Sequence, residues 1–192
     1  MKKDIILCGV GGQGILSIAT IIGEAATRAD VNLKQAEVHG MSQRGGDVQS
    51  NLRLSNDTIY SDLIALGSAD IIISMEPMEA LRYLPYLAKD GVIVTSNKPF
   101  VNIPNYPEEQ AVFDELKALP NKVIMLDIEQ VAKDAGSARS ANVVLLGMAA
   151  KYLEIVSSDA LRTAVATIFQ RKGEKIVEAN LTAFDKGFEA AK

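Results

Sequence analysis

Apolar residues along this chain alternate between short solid runs and longer stretches of helical spacing. Ile5-Ile6-Leu7-Cys8 is a run of the kind found in strands covered on both faces. A glycine cluster follows it. Ile15, Ile18, Ala19, Ile22 and Ala26 then share one face of a helix predicted over 15–29. A second strand is expected to begin at Asp30-Val31-Asn32-Leu33 and to run to about Val38. A polar, glycine-bearing loop follows from His39 to Gly46. Val48, Ser50, Leu52 and Leu54 fall on one side of a third strand, Asn56-Asp57 signals a turn, and Thr58–Tyr60 is expected to return as a hairpin partner. Ile71-Ile72-Ile73 and Val92-Ile93-Val94 read as central strands, and Val123–Leu126 as a further one. Pro77 suits the first turn of a helix carrying Met78, Leu81 and Leu84, which Pro85 should end or kink. The prolines at 99, 104 and 107 mark an irregular loop.

From Asp127 onward the pattern is helical. Asp127 with Gln130 resembles a capping pair, and Gly136 is a natural stop. Asn142–Leu153 is apolar on every side, as a buried helix is. Ser158 can cap a helix with Leu161, Ala164, Val165, Ile168 and Phe169 on one side. A last helix sets Val177, Leu181, Phe184 and Phe188 on one stripe. Strands separated by helices predict an α/β, Rossmann-like fold: a mostly parallel sheet with helices on both faces and a helical C-terminal segment. The expected organisation is a single domain over 1–192, with the sheet core at 1–127 and the C-terminal helices at 128–192.

Composition narrows the chemistry. The chain has 192 residues, one histidine, one cysteine and a formal charge of −4. One cysteine makes no internal disulfide and cannot by itself hold a four-thiolate cluster or a four-ligand zinc site. Cys8, inside a predicted strand, reads as core. So few cysteines are consistent with a reducing, cytoplasmic setting. The negative charge gives no bulk reason to bind nucleic acid. The longest clearly apolar run, Val143–Ala150, falls far short of the ~20 residues that span a bilayer. Lys2 and Lys3 precede apolar residues as in a secretory leader. Asp4 and the glycines that follow favour a strand and turn instead.

The most specific local signal is Gly9-Val10-Gly11-Gly12-Gln13-Gly14, a G-x-G-x-x-G placed between a predicted strand and a predicted helix. Gly9 permits a tight turn, Gly11 lets backbone approach a phosphate, and Gly14 lets helix and strand pack closely. The helix start then offers N–H groups and partial positive charge to an anion. A tight turn without a ligand would use the same residues. Glu37 lies near enough to act as the ribose ligand of a dinucleotide, so a free-standing NAD(P)- or flavin-binding protein is the alternative reading.

A second constellation is His39-Gly40-Met41-Ser42-Gln43-Arg44-Gly45-Gly46. If the second strand runs parallel to the first, this loop shares a sheet edge with the glycine loop. Arg44 could then fork onto a phosphate or carboxylate, and Gly45-Gly46 would let backbone lie against a ligand or partner. His39 is the one imidazole available for proton transfer near neutral pH. Glu76, beside Pro77 at a helix start, is a third candidate at that edge. Its bland reading is a first-turn acid facing the helix dipole.

Together these motifs resemble the gamma-type subunits of 2-oxoacid:ferredoxin oxidoreductases, and the His39 loop has the form of the indolepyruvate-type members. Further matches are Ala69-Asp70, Glu76-Pro77-Met78-Glu79-Ala80-Leu81-Arg82, Asn142–Gly147 and Asn180-Leu181-Thr182-Ala183-Phe184, so the resemblance covers nearly the whole chain. It implies an accessory subunit in the oxidative decarboxylation of a 2-oxo acid to an acyl-coenzyme A, with electrons passed to ferredoxin. Thiamine diphosphate, magnesium and iron–sulfur clusters are then expected on a large partner subunit. Coenzyme A is the ligand whose phosphates could touch this chain. The implied binding residues are Gly9, Gly11, Gly12, Gln13, Gly14, His39, Gly40, Ser42, Gln43, Arg44, Gly45, Gly46 and Glu76, with no catalytic residue and no metal ligand. Without its partner, a homodimer is the alternative assembly.

Overall fold

The structure is a computed structural model that describes residues 1–39, 45–101 and 103–191. Among these, six strands form one sheet: β1 (Lys2–Val10), β2 (Asn32–His39), β3 (Asp47–Ser55), β4 (Ala69–Ser74), β5 (Leu87–Ser96) and β6 (Lys122–Leu126), in spatial order β2-β3-β1-β4-β5-β6. β1, β4, β5 and β6 run parallel, whereas β3 is antiparallel to both β1 and β2. The mostly parallel α/β sheet is therefore as expected, but its left side is a hairpin. β2 and β3 pair antiparallel, with β3 in the place beside β1 and β2 as an edge strand. β2 still points the same way as β1, since each is antiparallel to β3.

Thr58–Tyr60 does not return as a strand. Side chains hold this part of the chain: Asn32 Nδ2 donates to the Asn56 and Asp57 carbonyls, and Arg53 donates to those of Ser61 and Leu63. The strand edge that Thr58–Tyr60 would have needed is taken, on β3, by β1 and β2.

Helices cover both faces. On one face lie α1 (Ile15–Arg28), α4 (Ile128–Asp134), α5 (Ala141–Leu153), α6 (Ser158–Phe169) and α7 (Glu174–Ala190). Their core joins Ile5, Leu7, Leu52, Leu54, Ile71 and Ile73 of the sheet to Ile18, Ile22, Val144, Leu145 and Phe184. Each such aliphatic side chain contributes about 1.5–3 kcal/mol by leaving water. α5 lies in the middle of this layer and is buried from Ala141 to Ala150, which explains why its sequence has no polar face. On the other face, α2 (Pro77–Arg82) and α3 (Glu109–Ala118) cover Ile6, Cys8, Ile72 and Ile93. α3 is a helix that hydrophobic spacing hides, because only Val112 and Leu116 of it are buried. The cap of α6 is Ser157, one residue before the expected Ser158; its hydroxyl accepts from Ala160 N. The buried stripe of α7 is Asn180, Ala183, Phe184 and Gly187, turned from the expected one toward smaller residues.

Candidate functional site

β1 and β4 are parallel neighbours, and the chain leaves them for opposite faces, toward α1 after β1 and α2 after β4. In sheets of this kind a crevice opens at such a point, outside the carboxyl ends of the strands. The glycine loop fills it. Gly14 precedes α1 with φ +88°, a left-handed conformation that favours glycine, and a Cβ there would lie 2.8 Å from Asn142 Nδ2. Asn142, near the start of α5, donates to the Gly14 carbonyl at 3.2 Å. The amino ends of α1 and α5 thus meet. The start of α1 has no side-chain cap and no acidic residue in its first turn. Its first amides have no helical acceptor and carry the positive end of the helix dipole.

Two other groups of the loop are committed to the protein. Gln13 folds back so that its Oε1 accepts from Val10 N at 2.7 Å. Gly11 extends the β1–β3 ladder: its N–H donates to the Gly46 carbonyl at 2.8 Å, and its carbonyl accepts from Gly45 N at 3.3 Å. The glycine loop and the end of the hairpin loop are therefore joined backbone to backbone, at one edge as anticipated. The Gly11 amide that a dinucleotide fingerprint would offer to phosphate is engaged in this pairing.

Glu76 is wholly buried at the N-cap of α2. Its carboxylate accepts from Glu79 N at 2.8 Å, from Phe100 N at 3.4 Å and from the Tyr106 hydroxyl. It ties the loop after β5 to the start of α2. Burial, and then the bond to Glu76, push the Tyr106 phenol above its ordinary value. Beneath the hairpin base, the Tyr83 hydroxyl donates to Asp47 Oδ2 at 3.1 Å, and Arg82 pairs with the buried Glu79 at 2.8 Å. Burial raises the Glu79 carboxyl despite that arginine.

From the Gly12–Gly14 turn a cleft of about 660 Å³ runs past the amino end of α5 toward α7. The segment Ser137–Asn142 forms one wall, and Lys133, Arg139 and Lys172 bring three positive charges to a lining whose one acid among the described residues is Glu129. In a chain of net charge −4 this is a local reversal of sign. Sequence reasoning missed this wall. The signal was present in Gly136-Ser137-Ala138-Arg139-Ser140, a helix stop followed by hydroxyls and an arginine at the next helix start.

Of the remaining candidates, Gly9 packs against Gln13, Ile15 and Met75, where a Cβ would meet each within about 3 Å. Gly40, Ser42, Gln43, Arg44 and the side chain of His39 lie outside the described residues. Glu37 is exposed on the edge strand and pairs with Ser50. With antiparallel β3 between it and β1, it does not stand at the end of the strand beside the glycine loop, where a dinucleotide ribose would be held. Cys8 is buried as expected, its thiol donating to the Glu79 carbonyl at 3.7 Å.

Residues 4–190 match the sequence profile of the family described as pyruvate ferredoxin/flavodoxin oxidoreductase. The indolepyruvate oxidoreductase subunit IorB of Thermococcus kodakarensis is 37% identical over 204 aligned residues, which cover 100% of this chain and 98% of that protein. IorB of Archaeoglobus fulgidus is 34% identical, covering 100% of this chain and 96% of its own length. Among solved structures, the gamma subunit of a keto/oxoacid ferredoxin oxidoreductase from Geobacter sulfurreducens PCA superposes with a TM-score of 0.72 at 27% identity, over 98% of each chain. The joined glycine loops, the parallel sheet and its added hairpin are thus carried by a chain that belongs to the pyruvate ferredoxin/flavodoxin oxidoreductase family.

Proposed function

We propose that this chain is the small, accessory subunit of a 2-oxoacid:ferredoxin oxidoreductase that acts on indolepyruvate or a similar aryl 2-oxo acid. The observation that carries the reading is end-to-end similarity to IorB subunits at 34–37% identity, with almost the full length of each relative matched. In this reading a larger, cytoplasmic partner holds thiamine diphosphate with magnesium, which supplies the decarboxylation chemistry, and the iron–sulfur clusters that carry electrons to ferredoxin. The residues here do not fit a cluster, since the single thiol is buried between β1 and α2 and burial raises it far above its ordinary value.

What this chain contributes is a shaped, positively biased edge. The open amino end of α1, the basic residues of the cleft and the paired glycine loops face the side on which an anionic cosubstrate, coenzyme A, would reach the partner's centre. The glycine loops keep side chains out of the way where two backbones must lie close to a ligand or to the partner. Phe100 and Val101, 43% and 62% exposed at the same edge, are apolar surface for the partner to cover.

The test is purification of the tagged chain from its own cells, followed by assay. The expected result is a large, cysteine-rich, thiamine-dependent companion. The complex should reduce ferredoxin when given an aryl 2-oxo acid and coenzyme A, and the chain alone should not. Turnover by the solitary chain, or recovery without any such companion, would overturn the reading.

A further inference from the structure

We infer that β2 is a docking strand for a second copy of this chain. Two β2 edges pair antiparallel about a two-fold axis at Ala36 and join the two sheets into one. The inference goes beyond the reading above and does not rest on it, since it concerns the sheet edge and is tested on the chain without the larger subunit.

The edge is long and regular. The register of β2 with β3 is unbroken from Asn32 to His39, with no bulge. On its other side β2 has no strand partner among the described residues, and Asn32–Gln35, Glu37 and Val38 are exposed. Open edges are ordinarily blunted by short length, proline, bulges or charge, because their free backbone groups template pairing with another chain. β2 runs for eight residues and contains no proline. Its charged residues, Lys34 and Glu37, are of opposite sign. In a chain of net charge −4 this strand is thus locally neutral, and two copies can approach along it without the repulsion that the rest of the surface carries.

The order of side chains selects the second copy as the occupant. A two-fold axis normal to the sheet pairs a strand with itself antiparallel and keeps each face continuous. With the axis at Ala36, Lys34 lies opposite Val38 of the second copy, and Gln35 lies opposite its Glu37. No like charges face one another, and the Lys34 stem can pack on the valine. Gln35 gives one N–H of its Nε2 to Ser50 Oγ at 3.1 Å and has another for the glutamate. Tyr60, 92% exposed, is held on the Lys34 side of the strand, where its carbonyl accepts from Lys34 Nζ at 3.5 Å. The axis brings it beside Val38 of the second copy, 57% exposed in the single chain. Two outlying apolar side chains then cover each other, and the symmetry repeats the contact. An axis at Gln35 would set Leu33 against Glu37 instead, which favours the register at Ala36.

The experiment is sedimentation velocity on the full chain across the micromolar range, with cross-linking to fix the register. A reversible monomer–dimer equilibrium is expected. Val38→Asp and Tyr60→Ser should each weaken it about tenfold, the scale of a central contact in a small interface. Both residues are exposed, so either variant leaves the fold of the single chain intact. Residues directly opposed across an antiparallel pair have Cα atoms about 4.5–5.5 Å apart, within reach of a disulfide. Ala36→Cys should therefore give a covalent dimer on mild oxidation, with the sealed Cys8 as the only other thiol. A monomer throughout the range overturns the inference, including the case in which only the larger subunit protects the β2 amides from exchange. So does a dimer that neither Val38→Asp nor Tyr60→Ser weakens, or one that Ala36→Cys fails to trap.

Discussion

Asp4, at the end of the sheet far from the cleft, sits with its side chain 1% exposed, and Arg53 forks onto it at 2.8 and 3.2 Å while Lys2 lies 2.8 Å away. Burial raises its carboxyl, but the fork and the ammonium outweigh that and hold it below its ordinary value. A lowered folded pKa adds stability above the unfolded value, and that stability is lost as pH falls through the folded one. Arg53→Ala should cost about 2 kcal/mol at neutral pH, since it leaves a buried carboxylate with Lys2 as its remaining cation. Its deficit should narrow in acid, where protonation removes the charge; urea melts of both proteins across that range would show it. Glu76 makes the opposite kind of contribution, because it organises chain rather than charge. Glu76→Ala removes a cap and strips the Tyr106 hydroxyl of its acceptor, at a cost of about 2 kcal/mol. Amide exchange at Phe100 and its neighbours should accelerate, and unchanged exchange there would mean the loop is held by something else.

The hidden feature among the elements is the crossing of α5 and α7. A Cβ on Gly147 would lie 2.1 Å from the Phe184 carbonyl oxygen, and one on Gly187 2.1 Å from that of Val144, so the two backbones touch at reciprocal glycines. Ala normally favours a helix over Gly by about 1 kcal/mol. Gly147→Ala should instead destabilise the protein by about 3 kcal/mol, because the helices must part, and thermal melting will read the sign. Hydrophobic pattern could not reveal this, as Gly147 lies in a run apolar on every side. The same limit explains the stripe of α7: Val177, Leu181 and Phe188 are the large residues, but close approach selects Ala183 and Gly187 for the interface. Where signals were local they were legible. Pro77 opens α2, Asp127 caps α4 by accepting from Gln130 N at 2.9 Å, and the strand–glycine–helix unit at 5–29 reads directly. Long-range choices were not legible. That β3 would insert between β1 and β2 depends on which strand reaches β1, and nothing within either segment encodes it.

Across the whole molecule, the sheet separates two ends of different make-up. The amino end of β1 is closed by the Asp4–Arg53 pair, while the carboxyl end gathers the glycine loops, the loop tied by Glu76 and the cleft. A docked partner should therefore slow amide exchange at Gly45–Gly46 and Phe100–Val101 and leave Lys2–Asp4 and Lys89–Gly91 unchanged. Protection centred on the amino end would place the interface elsewhere. The glycine loop and Glu76 were legible as members of one edge because β1, β2 and β4 all point toward it. The cleft wall at Ser137–Asn142 was not, since its residues come beside the glycine loop only when α5 is set against α1. One quiet feature has practical value. Cys8 is the chain's sole sulfhydryl and sits sealed in the central strand. A thiol-seeking dye can reach it only when β1 comes away from α2, so the rate of labelling clocks the opening of the sheet itself, with no added tag and no competing signal from elsewhere in the polypeptide.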